Sequence, residues 1–343
     1  MNVVGTGVAE VWRAVRPDGR YQRLLWWCGT VLVASGAAHG VVAVIDFAPW
    51  WGPVSWRKPV LFGISFGLLV WSVVWLLRRL PARWWTRVPA GLVVFSSVAE
   101  VALITAQRWR GTASHFNQVT PADSAVWSVI GTLILPLVLG LVLLLVAVAV
   151  RFDGPAPSRI AALTGLAGVL VAGAVGQRMA AVGERVFEET GQVPYEVVFG
   201  PAGSAKLAHA VGLHGLQLLL LLAVLAEAGR LGARAAATVT ATAAVGFTAV
   251  YAAITVTAWT GRAPHRPTAA MAALLVAGVL LVAGAGWVAV SRWWPGRRGT
   301  GSIRAPRQVA CYGPAGRPLA SRTGGLPGRR LDPPPAPAED HEA

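Results

Sequence analysis

Polar side chains at the start of an apolar segment could bind a ligand within a bilayer. Residues 206–226 are mostly apolar, but the segment begins with Lys206, His209, His214 and Gln217. At about 100° per residue, these four side chains share one half of a helix. Polar groups at the mouth of a hydrophobic helix are energetically costly, so they are functional-site candidates by default.

The two histidines of this segment are five residues apart. Histidines four residues apart converge on one helix face, whereas a spacing of five separates them by about 140°. His209 and His214 are therefore predicted to face different neighbouring helices. This arrangement suits haem ligation by opposed helices, or one ligand beside one structural residue.

Further candidates lie in other apolar segments. His39 and Asp46 are seven residues apart and share a helix face. Glu100 and Gln107 have the same spacing. An unpaired charge on a carboxylate in the middle of a span costs several kcal/mol, so Glu100 must be neutral or paired. His39, Arg178 or one of the two histidines above is its expected partner.

Two loop segments complete the set of candidates. Lys58 lies in Trp-Arg-Lys-Pro at 56–59, and the loop 108–117 contains the other polar candidates. The predicted ligand-binding residues are Lys58, Glu100, Gln107, Arg110, Ser114, His115, Asn117, Lys206 and Gln217. The predicted metal or haem ligands are His39, Asp46, His209 and His214.

Four uses of these residues remain open. Neutral imidazoles could hold haem or a divalent metal, with carboxylates as direct ligands or hydrogen-bond acceptors. Three imidazoles could hold zinc in a hydrolase at the outer leaflet. Glu100 and the histidines could form a relay in a proton-coupled transporter. In a structural or partner-binding protein, the same groups would only join helices. The residues do not decide whether the protein is an enzyme.

The elements that must position these residues are transmembrane helices. The chain of 343 residues is 55% hydrophobic and 13% charged, about half the charged fraction of a soluble domain. Its apolar residues come in blocks of about 20, which is long enough to cross a bilayer. This predicts an all-α, polytopic helix bundle with spans at 24–45, 59–79, 88–107, 125–150, 160–182, 206–228, 235–259 and 269–290.

Charge predicts the orientation of this bundle. Arginine is more abundant in the loops on the side of the two termini, so the positive-inside rule places both termini in the cytoplasm. The polar candidates then gather in the outer half. The net charge of +15 favours anionic lipid at the cytoplasmic face over nucleic acid. Arginine-, alanine- and glycine-rich composition indicates a bacterial plasma membrane protein.

Three regions are predicted along the chain. Residues 1–23 form a basic N-terminal segment and residues 24–292 form the eight-helix domain. Residues 293–343 are rich in proline, glycine and arginine, which predicts a disordered cytoplasmic tail. Trp-x-Gly-x-Ala-x-His occurs at 109–115 and again at 259–265, which suggests a weak parallel repeat of four plus four helices.

Three motifs resemble a pattern in a group of bacterial multi-helix membrane proteins of uncharacterised activity. They are Lys-Pro-x-x-Phe at 58–62, Arg-Gly-x-x-Ser-His-Phe-Asn at 110–117, and His-x4-His-x-x-Gln at 209–217. The resemblance spans roughly the first six helices and implies a helical membrane domain. It selects the same residues as the arguments above but implies no reaction.

Overall fold

The computed structural model describes residues 12, 15–229 and 231–292. Eight long helices in this part of the chain are long and apolar enough to cross a membrane. This confirms the all-α, eight-span prediction. The helices are α1 (Gly19–Asp46), α2 (Arg57–Leu77), α3 (Trp84–Trp109), α4 (Pro121–Arg151), α5 (Ala156–Thr190), α6 (Lys206–Ala228), α7 (Ala233–Trp259) and α8 (Ala269–Ser291).

Several helices extend beyond the apolar runs that predict them. α1 begins at Gly19 instead of 24, and α5 ends at Thr190 instead of 182. Hydropathy detects the part of a helix inside the hydrocarbon, whereas backbone hydrogen bonding continues into the polar interface. Most of the predicted N-terminal segment and all of the predicted tail lie outside the described residues.

α1 and α2 pack closely because small residues face each other. A Cβ atom added to Gly63 would lie 2.9 Å from both the Cα atom and the backbone nitrogen of Gly36. Small residues at such crossings let transmembrane helices approach closely enough for good van der Waals packing. The crossing fixes the position of the outer end of α1, where His39 lies, against the N-terminal part of α2.

Consecutive helices are the main packing partners, and α2 also contacts α6. α1 and α8 bury the smallest share of their apolar windows, so they present the largest apolar surfaces to the bilayer. We call the end of the bundle with the α1–α2 and α3–α4 loops the outer end, following the orientation predicted from charge.

The loops after α3 and α7 have the same local structure. Gly111 and Gly261 both adopt positive φ, at 71° and 74°. The amide of the next residue bonds back to the helix in each loop, Thr112 N to Gln107 O at 3.0 Å and Arg262 N to Thr257 O at 3.2 Å. This is the glycine-dependent end of a Schellman motif. The recurrence supports the predicted four-plus-four repeat.

Candidate functional site

A narrow cleft at the outer end is lined by hydrogen-bond donors. It lies between the α1–α2 loop, the start of α2, the end of α3 and the α3–α4 loop, and it is closed in this structure, with no room for a water molecule. We call it the Lys58 cleft, after its central cationic residue. Its polar lining consists of Ser55, Lys58, Arg108, Thr112 and Ser114, with Pro53, Val54 and Ile104 as its apolar lining.

Three of these donors have no acceptor. Ser55 Oγ, Thr112 Oγ1 and Arg108 Nε are buried and have no hydrogen-bond partner among the described residues. A buried donor left without a partner costs about 1–3 kcal/mol. Three such groups around one cleft require a physical explanation, because buried polar atoms in folded proteins are nearly always satisfied.

Lys58 adds an uncompensated charge to the cleft. Its side chain is partly buried, and its ammonium group forms no ion pair with a described residue. The neighbouring charges that act on it, Arg57 and Lys206, are also positive. Arg57 lies over the ring of Trp51 at 4.7 Å. Lys206 has its own partner, Glu196, at 3.4 Å between Nζ and Oε1.

The N-terminus of α2 adds to the positive potential. The residue before the helix, Trp56, provides no side-chain cap, and the first turn contains no acidic residue. The first turn of a helix forms the positive end of its dipole. Here Lys58 N already donates to Ser55 O at 3.4 Å and Pro59 has no N–H, so the contribution of α2 is the dipole more than free amide donors. The cleft thus combines an ammonium group, hydroxyl and guanidinium donors, and a helix N-terminus. This is the chemistry of an anion-binding site.

Arg108 is held against the cleft by an aromatic and acidic cluster. Asp46 Oδ2 accepts hydrogen bonds from Arg108 Nη2 at 3.0 Å and from Trp56 Nε1 at 2.6 Å. The guanidinium group lies 4.0 Å from the centroid of the Trp56 ring. One edge of the Arg108 guanidinium group is therefore bonded to Asp46, and one face packs on Trp56. The Nε atom is left without a partner among the described residues.

His39 belongs to the same cluster. Its Nδ1 atom lies 2.7 Å from Ser35 O and donates to that carbonyl, while Nε2 accepts from Trp109 Nε1 at 3.1 Å. The imidazole also stacks on Trp56, with 5.7 Å between ring centroids. Both ring nitrogens are engaged, so His39 has no free lone pair for a metal ion or haem iron. His39 and Asp46, predicted metal or haem ligands, join α1, α2 and α3 here.

The histidines of α6 face different helices, as their spacing predicts. His209 Nδ1 donates to Ala172 O of α5 at 2.7 Å. His214 Nε2 lies 3.1 Å from Ser65 Oγ of α2. Gln217 follows His214 by one turn of the same helix. These contacts join α6 to α5 and α2, and Lys206 pairs with Glu196 at the outer surface.

His115 lies in the α3–α4 loop near the Lys58 cleft. Its Nδ1 atom is 2.9 Å from Ser114 Oγ, and its ring packs against Phe62 and Trp127. Burial lowers the pKa of His115 well below its ordinary value, and the nearby Lys58 lowers it further. The imidazole is therefore neutral at pH 7.

Three other predicted ligand residues shape this loop. Gln107 Nε2 donates to Asp123 Oδ1 at 3.0 Å, and Arg110 pairs with the same oxygen at 3.1 Å. Asn117 bonds to Ala113 O and to Val119 N. Asp123, which also accepts from Thr120 Oγ1 at 2.7 Å, is the centre of this network and was not predicted.

Glu100 lies deeper than the cleft, in the middle of α3. It is 3% exposed, and its Oε2 atom has no hydrogen-bond partner among the described residues. The expected partners do not pair with it, because His39 is bonded to Trp109 and the α6 histidines are bonded to α5 and α2. The prediction of a partner for this carboxyl group is therefore wrong for the part of the chain described, and Arg178 forms no ion pair with it.

Three of the predicted histidines lie at separate helix contacts. His39, His209 and His214 join different helix pairs, and within residues 15–229 and 231–292 no three His, Cys, Asp or Glu side chains form a group that could hold a metal ion. The cleft instead uses Ser55, Arg108 and Thr112, which were not predicted as ligands. Single hydroxyl groups next to helix ends are too common in sequences to be noticed without a structure.

A larger groove of about 910 Å³ lies between α4 and α5. Its walls include Leu135, Leu139 and Val142, with Gln177 and Glu184 near one end. These side chains belong to surfaces that face the bilayer in an eight-span bundle, and the groove is open. No convergence of charged or unpaired donors distinguishes it, so the Lys58 cleft is the stronger candidate.

No protein family, characterised protein or solved structure matched this chain in our comparisons.

Proposed function

We propose that this multi-pass membrane protein binds a small oxyanion, of the carboxylate or phosphate type, in the Lys58 cleft. The observation that carries the proposal is the set of donors around one cleft. Ser55 Oγ, Thr112 Oγ1 and Arg108 Nε have no acceptor among the described residues, and Lys58 has no acidic partner there. One oxyanion could accept hydrogen bonds from several of these groups at once.

The donor set favours an anion over a metal ion or haem. Ammonium and guanidinium groups have no lone pair for a metal and repel cations. Metal sites need carboxylates, thiolates or imidazoles with free nitrogens. The polar groups that line the cleft are instead hydroxyls, an ammonium and a guanidinium.

The second half of the chain offers an internal comparison. Lys206 is the first residue of α6, and Lys58 is the second residue of α2. These two helices occupy corresponding positions in the predicted repeat. Lys206 is neutralised by Glu196 of its own chain, with 3.4 Å between the charged atoms. Lys58 has no acidic partner among the described residues, so its charge is available to an anion from outside the protein.

The cleft size limits the ligand. The cleft is closed in this structure, so an anion must separate its walls on binding, which favours a single carboxylate, sulfate or phosphate group over a large solute. The group could belong to a soluble ion or to a lipid headgroup. Exposed Phe47 and Trp51 lie in the neighbouring α1–α2 loop, where aromatic side chains commonly contact the headgroup region.

Binding of acetate, sulfate and phosphate to the purified protein in nanodiscs of zwitterionic lipid tests the proposal. Isothermal titration with wild type, Lys58→Met and Lys206→Met gives the required comparison. We expect Lys58→Met to weaken binding by at least about tenfold, since hydrogen bonds to charged groups contribute about 1.5–3 kcal/mol. Lys206→Met should change it by less than about threefold, because Glu196 already offsets the charge that Lys206 exerts near Lys58.

Two further results have clear meanings. If nanodiscs containing anionic lipid abolish binding of the soluble anions, the natural source of the group is a lipid headgroup. If no anion binds, or both lysine variants lose binding equally, the proposal is wrong. In that case the polar groups only join neighbouring helices, as in the structural alternative.

A further inference from the structure

Glu100 lies on the same side of α3 as the two α3 residues that line the Lys58 cleft. Ile104 and Arg108, which line the cleft, follow Glu100 by four and eight residues. Residues with this spacing are stacked along one side of a helix. At a rise of about 1.5 Å per residue, Glu100 is about 12 Å deeper than Arg108. Ile104, which has no exposed surface, separates the two.

The surroundings of Glu100 contain polar groups without partners. Oε2 of Glu100 and, one turn earlier, Oγ of Ser96 are both buried and have no hydrogen-bond partner among the described residues. An acid that only joined helices would be bonded across an interface, as His214 is to Ser65. A buried carboxyl group without a partner is instead available to gain or lose a proton.

The charged groups around Glu100 lie far from it along the helices. No ion pair joins any of them to Glu100 in the part of the chain described. Helices α1, α2 and α4 pack against α3. The other charged or titratable residues of these four helices are Arg20, Tyr21, Arg23, Cys28, His39, Asp46, Arg57, Lys58, Arg87, Arg108, Asp123 and Arg151. The charged ones lie toward the helix ends. Along α3 itself, Arg108 of the cleft is eight residues from Glu100, closer than Arg87 at thirteen residues.

We propose that Glu100 is a proton-binding site coupled to the oxyanion site, so that proton and anion bind together. The coupling rests on the proposed anion binding. A bound anion adds a negative charge about 12 Å from Glu100. That charge disfavours the ionised form of the carboxyl group and favours the protonated form. For two unit charges at that distance and an effective dielectric constant of about 20, the interaction corresponds to about a tenfold change in binding.

This coupling has a defined sign. The anion binds more tightly to the protein when Glu100 is protonated, so binding takes up protons. Affinity therefore falls, by about tenfold in total, as the pH rises through the titration of this carboxyl group. By reciprocity, the anion strengthens proton binding by the same factor. Joint binding of one proton and one monovalent anion adds no net charge to the bilayer interior, as proton–anion symport would require.

Titration calorimetry with acetate and sulfate tests the coupling, because neither anion titrates near neutral pH. Repeating it in buffers of different ionisation enthalpy, over a series of pH values, counts the protons taken up with each anion. Wild type should take up protons within one pH range. Glu100→Gln, which is nearly isosteric, should bind at least as tightly as wild type with no uptake in that range.

Proton uptake that persists in Glu100→Gln would overturn the proposal, and so would wild-type binding without uptake at any pH. In both cases anion binding itself would stand. Absence of all anion binding would instead overturn the proposed function, and this inference with it. These three outcomes are distinguishable in one data set.

Infrared difference spectroscopy on the wild-type protein gives a second readout that does not depend on folding of a variant. Addition of sulfate at a pH within the coupled range should increase the carbonyl band of a protonated carboxylic acid. Carbon-13 labelling of glutamate should shift that band. A spectrum without such a band would contradict protonation of Glu100 on anion binding.

Discussion

Arg108 illustrates how the environment of one residue decides its chemistry. Its Nη2 atom donates to Asp46, and its guanidinium plane packs over Trp56. These contacts hold the side chain in place beside the cleft and leave Nε buried without a partner among the described residues. A planar guanidinium is suited to this dual use, because its donors have a fixed geometry that a lysine ammonium lacks.

Protonation of His115 makes the folding stability of the protein depend on pH. Burial lowers its folded-state pKa well below the unfolded value of about 6.5, so the unfolded chain binds more protons below that pH. The stability contributed by neutral His115 is therefore present above about pH 6.5 and is lost as the pH falls below it. The loss is about 1.4 kcal/mol per pH unit until the folded-state pKa is reached.

Thermal unfolding of wild type and His115→Gln between about pH 7.5 and pH 5 measures this effect. We expect the midpoint of wild type to fall more steeply than that of the variant. Parallel curves would show that His115 is not the group responsible.

At the scale of helices, close packing of α1 on α2 positions the cluster around Arg108. The crossing at Gly36 and Gly63 brings α1 next to the outer half of α2, with His39 stacked on Trp56. In Gly63→Ala, the new methyl group would lie 2.9 Å from backbone atoms of Gly36, which cannot rotate away as a side chain can. Overpacking of this kind costs about 1–3 kcal/mol.

Gly40→Ala in α1 is a matched control, because a Cβ atom there has no neighbour within 4 Å. We expect Gly63→Ala to lower the thermal unfolding midpoint in nanodiscs and Gly40→Ala to leave it unchanged or slightly higher. Equal midpoints for the two variants would mean that the crossing is looser than the structure indicates.

The helices themselves follow from the sequence, but their side-chain partners do not. Blocks of about 20 apolar residues predict each span, because only a helix satisfies its own backbone within lipid. The His209 and His214 spacing predicts two different neighbours, and the structure contains them. Helical periodicity relates residues of one helix only. It could not predict that Trp109 bonds to His39, or that Ser55 and Thr112 line one cleft.

At the scale of the whole molecule, the two ends of the bundle differ in chemistry. The predicted cytoplasmic loops carry mainly arginine, whereas the outer end combines donors, carboxylates and imidazoles. The two halves also differ from each other, although the α3–α4 and α7–α8 loops have the same backbone turn. The first half leaves Lys58 uncompensated, and the second half pairs Lys206 with Glu196. This difference is why we propose the anion site at Lys58 and not at Lys206.

A crystal structure of the protein with selenate tests the proposed anion site most directly. Selenate has the shape and charge of sulfate, and its selenium atom is located unambiguously by anomalous scattering. We predict a single strong peak in the Lys58 cleft, within hydrogen-bonding distance of Lys58 Nζ and at least one of Ser55 Oγ, Thr112 Oγ1 and Arg108 Nε. Selenate bound at Lys206, or a cleft that remains closed and without selenate at saturating concentration, would contradict it.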